Sequence, residues 1–410
     1  MSEFIYKKPE LLAPVGDMER LFSALDYGAD AVYLAGKSFG MRSSPSNFSN
    51  EELAAAVKHA HAAGAKVYVT CNVLPHNHEL EALPDFLMHC QDIGVDAFIM
   101  TDLGVMSIAK KYAPKVPVHI STQAGVVNYA TANAFYNMGA ERVVLARELS
   151  FDEIAEIRAK TPKELEIEAF VHGAMCISYS GRCLLSNFLT GRSGNNGECA
   201  QSCRWEYFMR EKSRTDELTM QEDEHGTYIL NSKDMNMLEH IDKLVDAGVT
   251  SFKIEGRVKT SYYVASVVNA YRRAIDHLEK YGRPFVAPSE LVEDLKKPSH
   301  RMYCTGFYLG DVQNNECYET SKPKQNYDFI ALTLDSVDGG AIVEMRNRFR
   351  IGDELEVLSP GAHHNAKIIV ERMQNEKGED IEDALLVKQK VKLFTSVPLQ
   401  KGDILRRKNI

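Results

Sequence analysis

One phrase recurs five times and constrains this chain more than any other feature. Gly28-Ala-Asp-Ala-Val-Tyr-Leu34 returns as Gly64-Ala-Lys-Val-Tyr-Val69, Gly94-Val-Asp-Ala-Phe-Ile99, Gly139-Ala-Glu-Arg-Val-Val144 and Gly248-Val-Thr-Ser-Phe-Lys253. Each copy follows a helical pattern and opens a short β-branched or aromatic run. The glycine suits a helix C-terminus in the left-handed conformation, and the run after it suits a buried parallel strand. Ser49-Asn-Glu-Glu52 and Ser150-Phe-Asp-Glu153 read as capping boxes that start helices. With the runs at 11–13, 116–120 and 165–171, eight strands are expected, centred on Leu11, Val32, Val67, Phe98, Val118, Val143, Ile167 and Phe252. The fold class is therefore α/β, a (β/α)8 TIM-like barrel. A doubly wound sheet would need a Gly-rich dinucleotide turn, which the chain lacks.

The barrel with its insertion is placed at residues 1–285, and the insertion, rich in cysteine, at 174–226. A connecting segment covers 286–325, broken by Pro288 and Pro298 and ending near Lys322-Pro323-Lys324. From 326 to 410 short alternating runs separated by turns such as Asp338-Gly339-Gly340 predict a small C-terminal β-barrel domain.

Chemistry in such a barrel belongs at the C-terminal ends of the strands. Polar residues fall there after most strands: Arg42, Asn72, Asp102, Ser121-Thr122-Gln123, Arg147-Glu148, His172, Glu255 and Arg257. Several have structural readings as well. Arg147 and Glu255 suit an ion pair closing the barrel, and His172 suits a hydrogen-bonded structural role as much as acid–base work. His76 and His78, in the loop after the third strand, read as solvent-exposed rather than as metal ligands.

Directly after His172 comes the cysteine-rich stretch. Cys176, Cys183, Cys199 and Cys203 are half of the eight cysteines, with gaps of six, fifteen and three residues. Thiols this concentrated in a chain without a secretory pattern point to a metal centre. Structural zinc favours paired knuckles, and only Cys199 and Cys203 have that spacing. Four soft sulfur donors at irregular spacing suit a four-iron four-sulfur (4Fe-4S) cluster, with zinc the alternative. Arg182, Arg192 and Arg204 lie alongside, either offsetting the charge of a thiolate cluster or simply solvated. The three-cysteine grouping of S-adenosylmethionine radical enzymes is absent, since Glu206 stands where its third thiol would fall.

Glu168-x-Phe170-x-x-Gly173-Ala-Met-Cys176, four residues, then Gly181-x-Cys183-x-Leu-Ser186, is similar position by position to the signature of the collagenase-like peptidase family (unassigned class, family thirty-two). The similarity extends from Glu10-Leu-Leu-Ala-Pro-Val-Gly16 through Lys253-Ile-Glu-Gly-Arg257 to Thr305-Gly-Phe307. Members include iron–sulfur proteins that hydroxylate RNA bases or quinone precursors without molecular oxygen. At this length, with a C-terminal β domain, the resemblance implies formation of wobble 5-hydroxyuridine in tRNA, with prephenate as co-substrate. It is consistent with Cys176, Cys183, Cys199 and Cys203 as cluster ligands and brings Glu168 forward as a catalytic candidate, beside His172 and Glu255 from the strand ends. Glu168 would tune His172 or brace the loop. Prephenate carries two carboxylates, and Arg147, Arg257 and Arg42 are the candidate partners. The C-terminal domain resembles the second-domain barrel of translation factors, with Arg346, Arg348, Arg350 and Arg406-Arg407-Lys408 available for phosphates, although basic residues nearly balance acidic ones across it and a plain packing module is an equal reading.

A net charge of −9 gives no general sign of nucleic-acid binding, so any basic surface has to be confined to one face. The N-terminus has no apolar signal core and no run approaches membrane-spanning length, so a cytoplasmic protein without a membrane partner is expected. Two other functions remain open. A peptidase finds little support: His78-Glu79 is followed by Ala82 where a zinc protease needs histidine, and no Gly-x-Ser-x-Gly elbow exists. A hydroxylase of a small aromatic substrate is the third reading.

Overall fold

The computed structural model describes residues 8–37, 39–40, 47–176, 178, 183, 185–192, 198–205, 222–223, 226–227, 233–310 and 323–409. Eight parallel strands close on themselves. In chain order they are Glu10–Pro14, Ala31–Leu34, Lys66–Cys71, Ala97–Met100, Val118–Ile120, Arg142–Val144, Glu166–Ala174 and Ser251–Ile254. The last of them pairs with both the first and the seventh, which excludes an open doubly wound sheet.

Local chemistry explains the regularity. Gly28, Gly64, Gly94, Gly139 and Gly248 all have positive φ, between 78° and 97°, so each ends a helix where a side chain would be strained. Ser49 and Ser150 make the expected capping boxes with Glu52 and Glu153. Helices such as Met18–Asp26 and Ser261–Tyr281 bury their apolar faces against the strands in one continuous core.

The repeat breaks between the seventh and eighth strands. The seventh strand runs on beyond the barrel to Ala174. Asp234–Asn236 pairs antiparallel with that extension, Asp234 opposite Ala174 and Asn236 opposite His172. Tyr303–Cys304 then adds parallel to Asp234 and Met235. Cys304 thus lies in a strand next to the extended seventh strand's partner, and the connecting segment also holds the helix Ser289–Leu295.

The barrel interior is partly ionic. Arg142, only 3% exposed, bonds Glu10, Glu166 and Glu168 through its guanidinium. Glu168 is fully buried and places its other oxygen 2.7 Å from Lys253 Nζ. Burial alone would raise the Glu10 carboxyl, but Arg142, Tyr68 and Ser251 hold it below the usual range. These charges occupy the N-terminal half of the barrel, where desolvation is tolerable only because every charge has its partner.

The C-terminal residues form a curled antiparallel sheet of eight strands, running from Tyr327–Val337 to Ile404–Lys408. This sheet packs along the groove between helices Met18–Asp26 and Ser261–Tyr281. Tyr27 donates to the carbonyl of Leu358 at 2.7 Å, and Arg346 forks onto Glu19 with both contacts at 3.1 Å. Arg406 corrects one sequence expectation. It is 0% exposed, bound to Asp294 at 2.9 Å and to Glu356, so it holds the two domains together and is closed to phosphate. Burial alone would raise the Asp294 carboxyl, but His364 and Arg406 keep it well below the carboxylate range.

Candidate functional site at the barrel mouth

The C-terminal ends of the strands present a polar rim. The third strand ends Thr70-Cys71 and leads to Asn72, whose amide donates to Gln123 Oε1 at 3.0 Å across the mouth. Thr101, after the fourth strand, donates to the Asn72 carbonyl at 3.3 Å. Arg257 reaches back from beyond the eighth strand to Thr70 Oγ1 at 3.1 Å and Asn47 Oδ1 at 3.3 Å, and is 6% exposed. Tyr33 donates to the carbonyl of Ile254 at 2.9 Å. Sequence reading had not singled out Asn47, Thr70 or Thr101. Thr70 and Thr101 had only their place at strand ends as a signal, and Asn47, in the loop before helix Asn50–Ala62, had none.

Arg147 and Glu255 form the expected pair, at 3.3 Å. Arg147 also lies flat over the Phe170 ring, 3.8 Å from its centroid, and donates to the Ala174 carbonyl at 2.8 Å. Ring, carboxylate and carbonyl together fix the guanidinium plane, and lysine would satisfy only part of that geometry. The Ala174 bond ties the barrel mouth to the root of the cysteine loop, two residues before Cys176. Gly173, inside the seventh strand, allows the close approach of the Glu255 backbone: its φ is +108°, and a Cβ there would stand 2.4 Å from the Glu255 carbonyl oxygen.

His172 lies elsewhere. The pairing of the seventh and eighth strands slips between Lys253 and Ile254, which puts His172 opposite Ile254. Such a slip changes the face a side chain takes. Its ring packs edge-on against Tyr271 of helix Ser261–Tyr281 at 5.5 Å and beside Tyr303 at 5.3 Å. The Tyr271 hydroxyl lies 3.4 Å from Nδ1 and that of Tyr303 lies 3.5 Å from Nε2. Burial, with His300 and Lys259 nearby, lowers its pKa to about 3 against an opposing hydrogen bond from Asn236. Glu168 gives its two oxygens to Lys253 and Arg142 inside the barrel, not to His172. Among the polar residues after the strands, Asp102 caps the helix Leu103–Tyr112. His76 and His78 are exposed with their rings stacked 6.1 Å apart, and Arg42 lies outside the described residues.

None of the four loop cysteines is in a disulfide; Cys176 and Cys199 are exposed and Cys183 and Cys203 half-buried. Cys176 is within electrostatic reach of Arg147, Cys183 and Cys199. Backbone N–H groups point at sulfur in a repeated pattern: Leu185 N to Cys183 Sγ and Gln201 N to Cys199 Sγ, both 3.3 Å, and Ser178 to Cys176. Donors of this kind stabilise thiolate sulfur in iron–sulfur sites. Ser186, 1% exposed, clips the loop together. Its hydroxyl donates to the Arg192 carbonyl at 2.8 Å and accepts from Ala200 N at 2.9 Å, holding the short helix Leu185–Thr190 that follows Cys183 against the Cys199 segment. As a donor set the thiols fit a soft-metal or iron–sulfur group. They do not make a ready cage: among the described residues no three His, Cys, Asp or Glu side chains are grouped to hold a metal ion. Arg182 lies outside those residues.

A closed βα barrel whose seventh strand carries a four-thiol loop at the open rim, with a curled β domain alongside, defines a class of site-bearing barrel rather than a simple scaffold. The chain belongs to peptidase family U32. It matches that family over residues 16–317, and the family's C-terminal domain over residues 325–406. It is 38% identical to tRNA hydroxylation protein P1 of Bacillus subtilis, covering 98% of this chain and 96% of that protein. It is also 38% identical to tRNA hydroxylation protein P of Escherichia coli, over 91% of this chain and 90% of that protein. The 23S rRNA 5-hydroxycytidine C2501 synthase of Escherichia coli is 38% identical over 71% of this chain and 43% of its own length.

Proposed function

We propose that this protein is an RNA hydroxylase that installs a hydroxyl group on a tRNA uridine at the wobble position. The observation that carries the reading is the join of mouth and loop by Arg147, in a chain similar along nearly its whole length to tRNA hydroxylation proteins. The target base leaves its stack and enters the mouth, since a stacked base is out of reach of a barrel rim. Asn72, Thr101 and Gln123 offer neutral donors and acceptors at hydrogen-bonding distance from one another, a surface suited to the edge of an uncharged pyrimidine. Cys176, Cys183, Cys199 and Cys203 would hold a 4Fe-4S cluster, which supplies one-electron redox chemistry when bound. Prephenate would set its carboxylates against Arg147 and Arg257, the rim guanidiniums. Oxygen would then come from a source other than O2, and the protein would work in the cytoplasm, where its RNA is found. No described helix is long and apolar enough to cross a membrane.

The chain's own residues have defined tasks in this reading. Arg147 orients the loop root and presents charge to both substrate and thiols. Glu255 keeps that guanidinium in plane. The Phe170 ring beneath Arg147 excludes water from one side of the mouth. A serine or cysteine peptidase of the histidine-assisted kind would need that ring beside its nucleophile, whereas His172 faces Tyr271 and Tyr303.

Mass spectrometry of tRNA nucleosides tests the proposal. A deletion strain without a redundant paralogue should lose 5-hydroxyuridine and its derivatives, and the wild-type gene should restore them while Cys176→Ser does not. Unchanged nucleosides in the deletion strain would overturn it.

A further inference from the structure

The C-terminal sheet exposes three apolar residues in a row. Leu385 is 56% exposed, Leu386 70% and Val387 82%, the largest such run among the described residues. Half-exposed Ile351 lies close by, its N–H bonded to Glu382 O at 2.9 Å. Singly scattered apolar residues need no explanation, but a contiguous protruding group does.

This tip is built rather than loose. The Gln389 side chain accepts from Leu385 N at 3.0 Å and from Leu386 N at 3.1 Å. Gln389 N donates to the Leu386 carbonyl at 2.9 Å, and Lys388 N to the Met345 carbonyl at 3.1 Å. Lys388 takes a positive φ of 60° to close the turn. The apolar side chains are thus held outward in one shape, with little entropy left to lose on binding.

Its position is specific. Met345 precedes Arg346, which grips Glu19 in the first turn of helix Met18–Asp26. Glu19 in turn accepts from Ser261 at 2.5 Å, the first residue of helix Ser261–Tyr281. Those helices follow the first and eighth strands, so the tip stands beside the barrel mouth, on the side from which Arg257 enters. Arg346 itself is spent on Glu19 and Glu344. Around the tip, Lys388, Lys390, Arg348 and Arg350 are exposed cations, set against exposed Glu382 and half-buried Asp383, which bonds Arg348 at 3.2 Å. Glu344 stands opposite Lys390 and Glu19 lies within electrostatic reach of Lys388, so with Arg346 counted five cations face four acids, a small positive excess on a protein whose net charge is −9.

We propose that the Leu385–Val387 tip is an RNA contact, an apolar wedge that packs against bases next to the nucleotide entering the mouth while Lys388 and Lys390 take the flanking phosphates. The inference rests on the RNA reading above. Aliphatic side chains inserted beside a base step offset the loss of stacking when a neighbour leaves the helix. Phosphate contacts from the flanking cations set the register of the strand.

The test compares the full-length wild type with Leu386→Ser/Val387→Ser and, separately, Lys388→Ala, using unmodified tRNA transcript in fluorescence anisotropy across a salt series. Exposed positions leave folding intact, checked by the melting temperature. The double variant should bind roughly tenfold more weakly with unchanged melting. Lys388→Ala should lower the slope of log K against log salt by about one. If the wild type binds tRNA and the double variant binds equally well, the wedge is wrong and the RNA function stands. If the wild type is a dimer that the double variant splits, with tRNA affinity unchanged, the tip joins two copies and the inference falls. A wild type with no affinity for tRNA removes the RNA reading itself.

Discussion

Replacing His172 by glutamine separates a catalytic histidine from a structural one. The ring is 1% exposed and its pKa falls from 6.5 to about 3, chiefly through burial. Between those values the unfolded chain binds a proton that the folded chain refuses, so stability rises with pH through this window. The contribution is complete above the unfolded value and is lost progressively as pH falls toward 3. Integrating the linkage relation between pH 7 and pH 5 gives about 2 kcal/mol lost through this one side chain. Glutamine cannot titrate, yet it retains a donor and an acceptor for Tyr303 and Tyr271.

Urea unfolding at both pH values, on wild type and His172→Gln, isolates the effect, because the other titrating groups are common to both proteins. The variant should be less stable at pH 7 through imperfect packing, by about 1–2 kcal/mol. Between pH 7 and pH 5 it should lose about 2 kcal/mol less than the wild type. Hydroxylation measured at pH 7 should persist in the folded variant. Equal acid sensitivity in the two proteins would refute the buried neutral ring. Full stability with complete loss of turnover would favour the acid–base role, one of the two readings the sequence left open.

Three other outcomes follow from the same geometry. Ser186→Ala removes the clip between the helix Leu185–Thr190 and the Cys199 segment, so anaerobically purified variant should carry less iron per chain than wild type while melting within a few degrees of it; equal iron would show that the clip is dispensable. Wild-type protein should be brown with about four irons per chain, and chelation after oxidation should bleach it; colourless protein with one tightly held zinc would remove the cluster. Arg406→Met removes one of the two cations that bridge Asp294 and Glu356, Lys297 being the other at 2.8 and 2.6 Å, and should cost about 1–3 kcal/mol, whereas Arg348→Ala at the surface should cost under about 0.5 kcal/mol in the same thermal unfolding assay.

The barrel was legible because each strand announces itself twice, by a glycine that must take positive φ and by the apolar run that follows. Arg147 and Glu255 could be paired from sequence because both fall just past strand ends, where the fold leaves one face. His172 could not be placed, because a one-residue slip between Lys253 and Ile254 has no sequence marker and decides which face the ring takes. Arg406 was misread for a related reason. Three cations in a row resemble a solvated tail, while the partners that bury the first of them, Asp294, Glu356 and Asn365, lie 112, 50 and 41 residues away. Thr70 escaped notice because small polar residues are common near strand ends, and Asn47 because it lies in a loop well past its strand; only the reach of Arg257 across the mouth gives them a role.

Glu168 allows a sharper separation of structure from chemistry than any other signature residue. The ionic cluster of Arg142, Glu10, Glu166, Glu168 and Lys253 fills the barrel below the mouth, so substrate enters from the rim alone and Lys253 forms part of the floor. Its ammonium lies 4.6 Å from the Tyr33 ring centroid and 5.5 Å from that of Phe170. Lys253→Met would strand one oxygen of a fully buried carboxylate and should cost about 3–5 kcal/mol. Adding Glu168→Gln removes the stranded charge, and Arg142 keeps Glu10 and Glu166, so most of the loss should be recovered in the double variant. A floor that only fills space predicts that hydroxylation returns with stability. A carboxylate that takes part in the reaction predicts a stable double variant that is inactive. Thermal unfolding and single-turnover hydroxylation on the same preparations distinguish the two, and recovery of neither would mean that the pair is held by more than its mutual charge.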